Sequence, residues 1–276
     1  MTTTDPTGPF SSDELIAQLR GGVLRLVLNR PQRKNAVSPE LRDLLVANLE
    51  WASSADDVRC ILLTGSGSAF CAGVDVSRFT VTTSATAATD PRAARLAMKH
   101  GVQRVIRALW ELDKPVVAAV NGVAAGAGAQ LALACDLIIA AESARLIEIF
   151  TRRGMAVDSG GAYLLTRNIG LARAKELVFF GDPITAAEAE RIGLINRAVP
   201  DDELAGIADQ WAARLARGAT RAIGASKLML NRSADSDLAA ALETEMLLQS
   251  VVALTDDYAE GIRAFKDRRD PGFTGR

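Results

Sequence analysis

Apolar positions along the chain fall into two rhythms. Val23–Leu28 (VLRLVL) is apolar except for Arg25, as in a largely buried strand, and Asn29-Arg30-Pro31 ends it. Ser38-Pro39-Glu40 reads as an N-cap with proline at the first helical position. Leu41, Leu44, Leu45 and Leu49 then share one face of a helix over residues 39–53. Short apolar runs predict further strands at 58–64, 116–120, 137–140, 145–149 and 194–199. Between them the spacing predicts helices over 94–112, 127–135, 160–169, 172–180 and 186–191. Residues 80–93 are rich in Thr, Ala and Ser and predict a mobile surface loop. After Pro200 only helical periodicity remains, over 202–217, 219–231 and 238–267. This order predicts an α/β core followed by an all-helical C-terminal lobe, with no convincing internal repeat.

Composition narrows the function classes. A chain of 276 residues with 49% hydrophobic and 24% charged content can bury a core of normal size. Its net charge of −1 and aromatic content of 5% give no reason to expect nucleic acid or an anionic membrane as partner. Cys60, Cys71 and Cys135 fit neither a metal site nor a disulfide framework, and Met1 to Pro9 carries no signal pattern, so a reducing, cytoplasmic compartment is expected. The uncharged run 115–135 is long enough to span a bilayer, but Asn121, Gln130 and three glycines favour a buried strand, a glycine loop and a buried helix.

The most informative features are two small-residue loops, SAFCAGVDV at 68–76 and NGVAAGAGAQLALACD at 121–136. Each lies between a β-rich run and a segment that can be helical. Loops of this kind aim backbone N–H groups at an oxygen, and one N–H from each would form an oxyanion hole. Thr64-Gly65-Ser66-Gly67 also follows a strand, but it lacks the third glycine of a dinucleotide-binding turn, because Phe70 stands there.

The order of these pieces resembles the crotonase, or enoyl-CoA hydratase/isomerase, superfamily. The matching strings are Leu28-Asn29-Arg30-Pro31 with Lys34-Asn35-Ala36, Ala69 to Asp75, Lys114 to Gly122 and Gly126 to Asp136. Asp158-Ser159-Gly160-Gly161, Ala187 to Val199 and Glu260 to Phe265 complete the set. The resemblance implies a spiral of ββα units over 19–200 that binds acyl-CoA. It also implies a helical oligomerisation region over 201–276, after a flexible N-terminus over 1–18. It implies an acyl-CoA thioester as partner, with coenzyme A entering as part of the substrate and no tightly bound cofactor, and assembly as a homotrimer or a dimer of trimers. By position the two oxyanion donors are the N–H groups of Val74 and Ala127, with Ala72, Gly73, Asp75, Val76 and Gly126 around them. Arg33 and Lys34, with Lys266, Arg268 and Arg269 in the tail, are candidates for the CoA phosphates, and Phe265 for packing near CoA.

The proton chemistry departs from the hydratase pattern. Gln130 and Phe150 stand where typical family hydratases carry two glutamates, and neither side chain exchanges a proton at neutral pH. Asp158 remains at a position that isomerase-like members use as a proton shuttle and dehalogenase-like members as a nucleophile. Locally it also reads as a helix N-cap. Glu148 lies two residues before Phe150 and would share its face on a strand. His100, the single histidine, reads as solvated, and no catalytic metal is expected. The favoured reading is an isomerase with Asp158 as shuttle. A hydratase with non-standard acid and base groups, a silent CoA-thioester-binding paralogue and chemistry through an aspartyl ester are the alternatives.

Overall fold

The computed structural model describes residues 10–78 and 91–276. The chain opens with an antiparallel hairpin of β1 (Leu15–Arg20) and β2 (Val23–Leu28), turned by Gly21-Gly22 at φ of 57° and 80°. The expected boundary at residue 19 falls inside β1, which Leu15 and Ala17 anchor in the core at 0% exposure. Helix α1 (Pro39–Ser54) starts as predicted, with Ser38 Oγ accepting from Leu41 N at 2.9 Å.

Three units then follow, each sending one strand to a large sheet and the next to a small one. They pair β3 (Cys60–Gly65) with β4 (Ala69–Cys71), β5 (Val116–Val120) with β6 (Val123–Ala125), and β7 (Leu137–Ala141) with β8 (Arg145–Ile147). Helices α2 (Pro91–Lys99) and α3 (Gln103–Glu111) close the first unit, α4 (Ala127–Leu133) lies within the second, and α5 (Gly161–Phe180) closes the third. The single helix expected over 94–112 is broken near Gly101, and most of the loop expected over 80–93 lies outside the described residues. Gly170, at φ 76° and ψ 164°, kinks α5 between the two helices read from the sequence. The chain continues through β9 (Ile184–Thr185), α6 (Ala186–Arg191), β10 (Arg197–Val199), α7 (Leu204–Ala216), α8 (Thr220–Ser233), α9 (Leu238–Val252) and α10 (Asp256–Asp267).

The large sheet has the order β1-β2-β3-β5-β7-β10 and is parallel apart from the hairpin. The small sheet runs β4-β6-β8-β9, antiparallel only at β9. Alternating strands between two sheets winds the chain into a spiral of ββα units, and C-terminal helices follow it. The apolar run 115–135 is β5, β6 and α4, nearly all buried, and among the described residues no single helix is long and apolar enough to cross a membrane. The helix expected over 238–267 is two helices bent by 85°. Thr255 Oγ1 caps the second by accepting from Tyr258 N at 3.1 Å, with Asp256 and Asp257 in its first turn.

Candidate active site

The spiral places the loop after β4 beside the start of α4. Asn35, fully buried at φ 56°, holds the first of these by accepting from Arg30 N at 2.8 Å and donating to the Ala69 carbonyl at 2.7 Å. Arg30 then donates to Asp75 Oδ2 at 2.9 Å. Hydrogen bonding from the Ser77 hydroxyl, aided by Arg30, holds the Asp75 carboxyl down to about 2, so it stays ionised and keeps the loop end fixed. Asp75 therefore clamps the loop. Sequence reasoning did not single out Arg30 and Asn35, although both stand in the strings quoted above.

Val74 makes an isolated bridge with Val37. Val37 N donates to the Gly73 carbonyl at 2.8 Å and Asp75 N to the Val37 carbonyl at 3.0 Å, and among the described residues the Val74 N–H between them has no acceptor. Ala127 is the first residue of α4, where a helix has no partner for its N–H. The two segments touch: a Cβ on Gly73, at φ 100°, would lie 2.9 Å from the Ala125 carbonyl oxygen and 3.6 Å from Ala127 N. Two backbone donors without a partner among the described residues thus lie on adjacent segments of chain. Gly126 adopts φ 53° and ψ −125°, a combination suited to glycine, and its N–H donates to the Ile147 carbonyl at 2.8 Å. Phe150 is buried against this turn, with its ring 3.7 Å from where a Gly126 Cβ would stand.

Asp158 lies half-buried in the turn before α5 and lines a pocket of about 640 Å³ with Met98, Gln103, Met155 and Tyr163. Its carboxylate accepts from Ser159 Oγ at 2.8 Å. It does not cap the helix: the N-cap of α5 is Gly160, at φ 85°, without a side-chain cap.

Glu148 follows β8 directly and is 4% exposed. Its Oε2 accepts from Gln130 Nε2 at 2.7 Å. Gln130 lies three residues beyond Ala127 on α4, nearly one turn. Gly161, at the start of α5, leaves room for that amide, since a Cβ there would stand 2.8 Å from Gln130 Nε2. Burial pushes the Glu148 carboxyl up to about 7; the Gln130 bond opposes the rise and the nearby Asp158 charge adds to it.

The remaining candidates lie on the surface. Arg33 and Lys34 are exposed at the end of a short 3-10 turn, Val76 is 60% exposed, and His100 is exposed beside the break between α2 and α3. Phe265 is 84% exposed on α10, with Lys266, Arg268 and Arg269 exposed beside it. A separate cavity of about 660 Å³ under α8 contains Lys227 and Asp136, paired at 2.9 Å, and neither loop N–H.

Paired N–H donors, with Gln130 on the helix of one of them bonded to the buried Glu148 carboxyl, suit chemistry on a carbonyl compound, and comparison with known proteins agrees. The sequence profile of the enoyl-CoA hydratase/isomerase family matches residues 18–276. A 1,2-epoxyphenylacetyl-CoA isomerase of Escherichia coli is 38% identical over 95% of this chain and 98% of its own. A 2,3-dehydroadipyl-CoA hydratase of the same organism is 36% identical over 95% and 99%. The crystal structure of an enoyl-CoA hydratase from Bacillus anthracis superposes with a TM-score of 0.86 at 32% identity, covering 95% of this chain and all of that one. With the two-sheet spiral, the loop pair and a match along nearly its whole length, the chain belongs to the enoyl-CoA hydratase/isomerase family of the crotonase superfamily.

Proposed function

We propose that the protein moves a double bond in an enoyl-CoA thioester, with Asp158 as the proton shuttle. The observation that carries this reading is Asp158 itself, a carboxylate lining a pocket and not spent on a helix cap. The thioester oxygen accepts from the N–H groups of Val74 and Ala127, which stabilises the enolate formed when the α-proton leaves. Removing one such donor costs about 3–4 kcal/mol of transition-state stabilisation. Asp158 takes the α-proton and a proton returns at the γ-carbon, so the double bond shifts by one position. Ala72, Gly73 and Gly126 shape the thioester site, and Gln130 and Phe150 lie beneath it without acid or base function of their own. Coenzyme A enters as part of the substrate, with Arg33 and Lys34 toward its phosphates and Phe265 against it from a neighbouring copy. Assembly as a homotrimer, through residues 201–276, is supported by the apolar side chains that α9 and α10 leave exposed.

A paired assay tests the reading by offering a 3-enoyl-CoA and a 2-enoyl-CoA and following bond migration and water addition separately. Migration without hydration is expected, and Asp158→Asn should lower it by about 10²-fold or more while thioester affinity is kept. Undiminished migration in that variant would remove Asp158 from the role. Efficient hydration would favour a hydratase using Glu148, and binding with neither reaction a silent paralogue.

A further inference from the structure

A one-acid shuttle leaves a second carboxyl at the site unused. Glu148 is buried, and among the described residues it makes no ion pair; its carboxylate has a single neutral donor, Gln130 Nε2 at 2.7 Å. A lone buried carboxylate is costly, and taking up a proton removes the cost. The other half of the same amide points the same way: among the described residues the buried Gln130 Oε1 has no hydrogen-bond partner. An ionised carboxylate only accepts hydrogen bonds, whereas a carboxylic acid also has one O–H to give. The acid form of Glu148 and the Gln130 amide are therefore complementary, one donor and one acceptor on each. Among the described residues the charged group that acts on Glu148 is Asp158, whose charge favours the neutral form. Arg152, close in sequence, is turned away to the Phe180 carbonyl and Asp182.

We propose that Glu148 is the second proton-handling carboxyl of the site, oriented by Gln130 and working as a pair with Asp158. The inference rests on the isomerase reading given above: it keeps Asp158 as the base that takes the α-proton and assigns the return of a proton at the γ-carbon to Glu148 instead. The α C–H bond breaks and its proton goes to the Asp158 carboxylate, leaving a dienolate held by the two N–H groups. The neutral Glu148 carboxyl gives its proton to the γ-carbon, a C–H bond forms there, and the double bond comes to rest between the α- and β-carbons. Asp158 is now the acid and Glu148 the carboxylate. Asp158 loses its proton to solvent and Glu148 takes one up, which restores both groups. A carboxyl that holds its proton up to about pH 7 suits the donating role.

The test uses the full chain and a 3-enoyl-CoA deuterated at the α-carbon, in ordinary water. Wild type, Glu148→Gln, Glu148→Asp and Asp158→Asn are compared for kcat across neutral pH and for deuterium at the γ-carbon of the product. Wild-type product should carry no deuterium there, because the incoming proton is Glu148's. Its kcat should fall as pH rises through about 7. Glu148→Gln should lose about 30-fold or more in kcat and lose that pH dependence, with KM within about threefold, and Glu148→Asp should recover part of the rate. Transfer of the deuterium from α- to γ-carbon in the wild type would overturn the proposal, and this readout does not depend on how any variant folds. A Glu148→Gln enzyme with wild-type kcat and pH profile would overturn it as well. If Asp158→Asn is inactive in that case, only the role of Glu148 falls. If Asp158→Asn is fully active, or the wild type moves no double bond, the isomerase reading falls and the pair with it.

Discussion

Glu148 is stabilised as an acid and strained as an anion, and folding must bear the difference. Its carboxyl is raised from the ordinary 4.5 to about 7. At about 1.4 kcal/mol per tenfold, that is roughly 3 kcal/mol. Between those values the folded chain binds more protons than the unfolded one, so the contribution is complete below pH 4.5 and is lost as pH rises through about 7. Glu148→Gln keeps an acceptor for Gln130 and has nothing to ionise. The variant should therefore gain on the wild type in unfolding free energy as pH rises from mildly acid to mildly alkaline, by up to about 3 kcal/mol. Urea unfolding at the two ends of that range measures it, and parallel pH dependences would show that Glu148 is solvated. The sequence exposes part of this. The two-residue offset from Phe150 makes Glu148 a candidate, but its partner Gln130 is 18 positions away, a non-local contact that periodicity does not encode. Asp158 shows the same limit in reverse: Asp-Ser-Gly-Gly reads as a helix cap, and only the left-handed Ser159 and Gly160, at φ 51° and 85°, move the cap beyond the carboxylate.

At the scale of elements, the site depends on how closely α4 lies against the loop after β4. A Cβ on Gly128 would stand 2.1 Å from the Cys71 carbonyl oxygen and 2.9 Å from Cys71 Cβ, so any side chain there must push the two apart. Cys71 immediately precedes the loop that carries Val74 N–H, and Gly128 follows Ala127. Gly128→Ala should therefore separate the two donors and lower kcat by about 10²-fold or more, and it should also lower the melting temperature. An alanine variant with wild-type kcat would show that the two N–H groups do not act together. The elements themselves were unequally legible. Val116–Val120 and Ala186–Arg191 are read to the residue, because long apolar runs and helical spacing are local signals. The strands β4 and β6 have three residues each, too short to show alternation, and only β8 of the small sheet is read, at 145–149, so the repeat of strand pairs that builds the spiral is absent from the hydrophobic pattern. The break before α10 did carry a signal in Thr255-Asp256-Asp257, a capping threonine followed by two acids, masked by apolar residues on both sides.

At the scale of the whole molecule, the C-terminal helices are too apolar for what a single chain covers. Helix α9 buries Val252 alone, while Leu238, Leu242 and Met246 recur every fourth residue at 75%, 53% and 65% exposure. Leu254, at 87%, continues the apolar surface across the bend to Ile262 and Phe265 on α10. Four-residue spacing puts such side chains on one helix face, and contiguous exposed patches of this kind mark surfaces that other protein covers. A stripe running over two helices bent by 85° is shaped to meet a curved or angled partner rather than a flat one, which suits copies arranged about an axis. If residues 201–276 hold copies together, a charge in the middle of the stripe should be expelled from the contact, because burying an unpaired carboxylate is costly. Light scattering on the purified wild type should give a multiple of the 29.2 kDa chain mass, and Met246→Glu should shift it toward 29.2 kDa at micromolar concentration. The melting temperature of the wild type should rise with protein concentration and that of the variant should not, since association stabilises only the folded chain. A wild type that scatters as 29.2 kDa at all concentrations would leave α9 and α10 without a second copy to cover them and would remove Phe265 from any role at a neighbouring site.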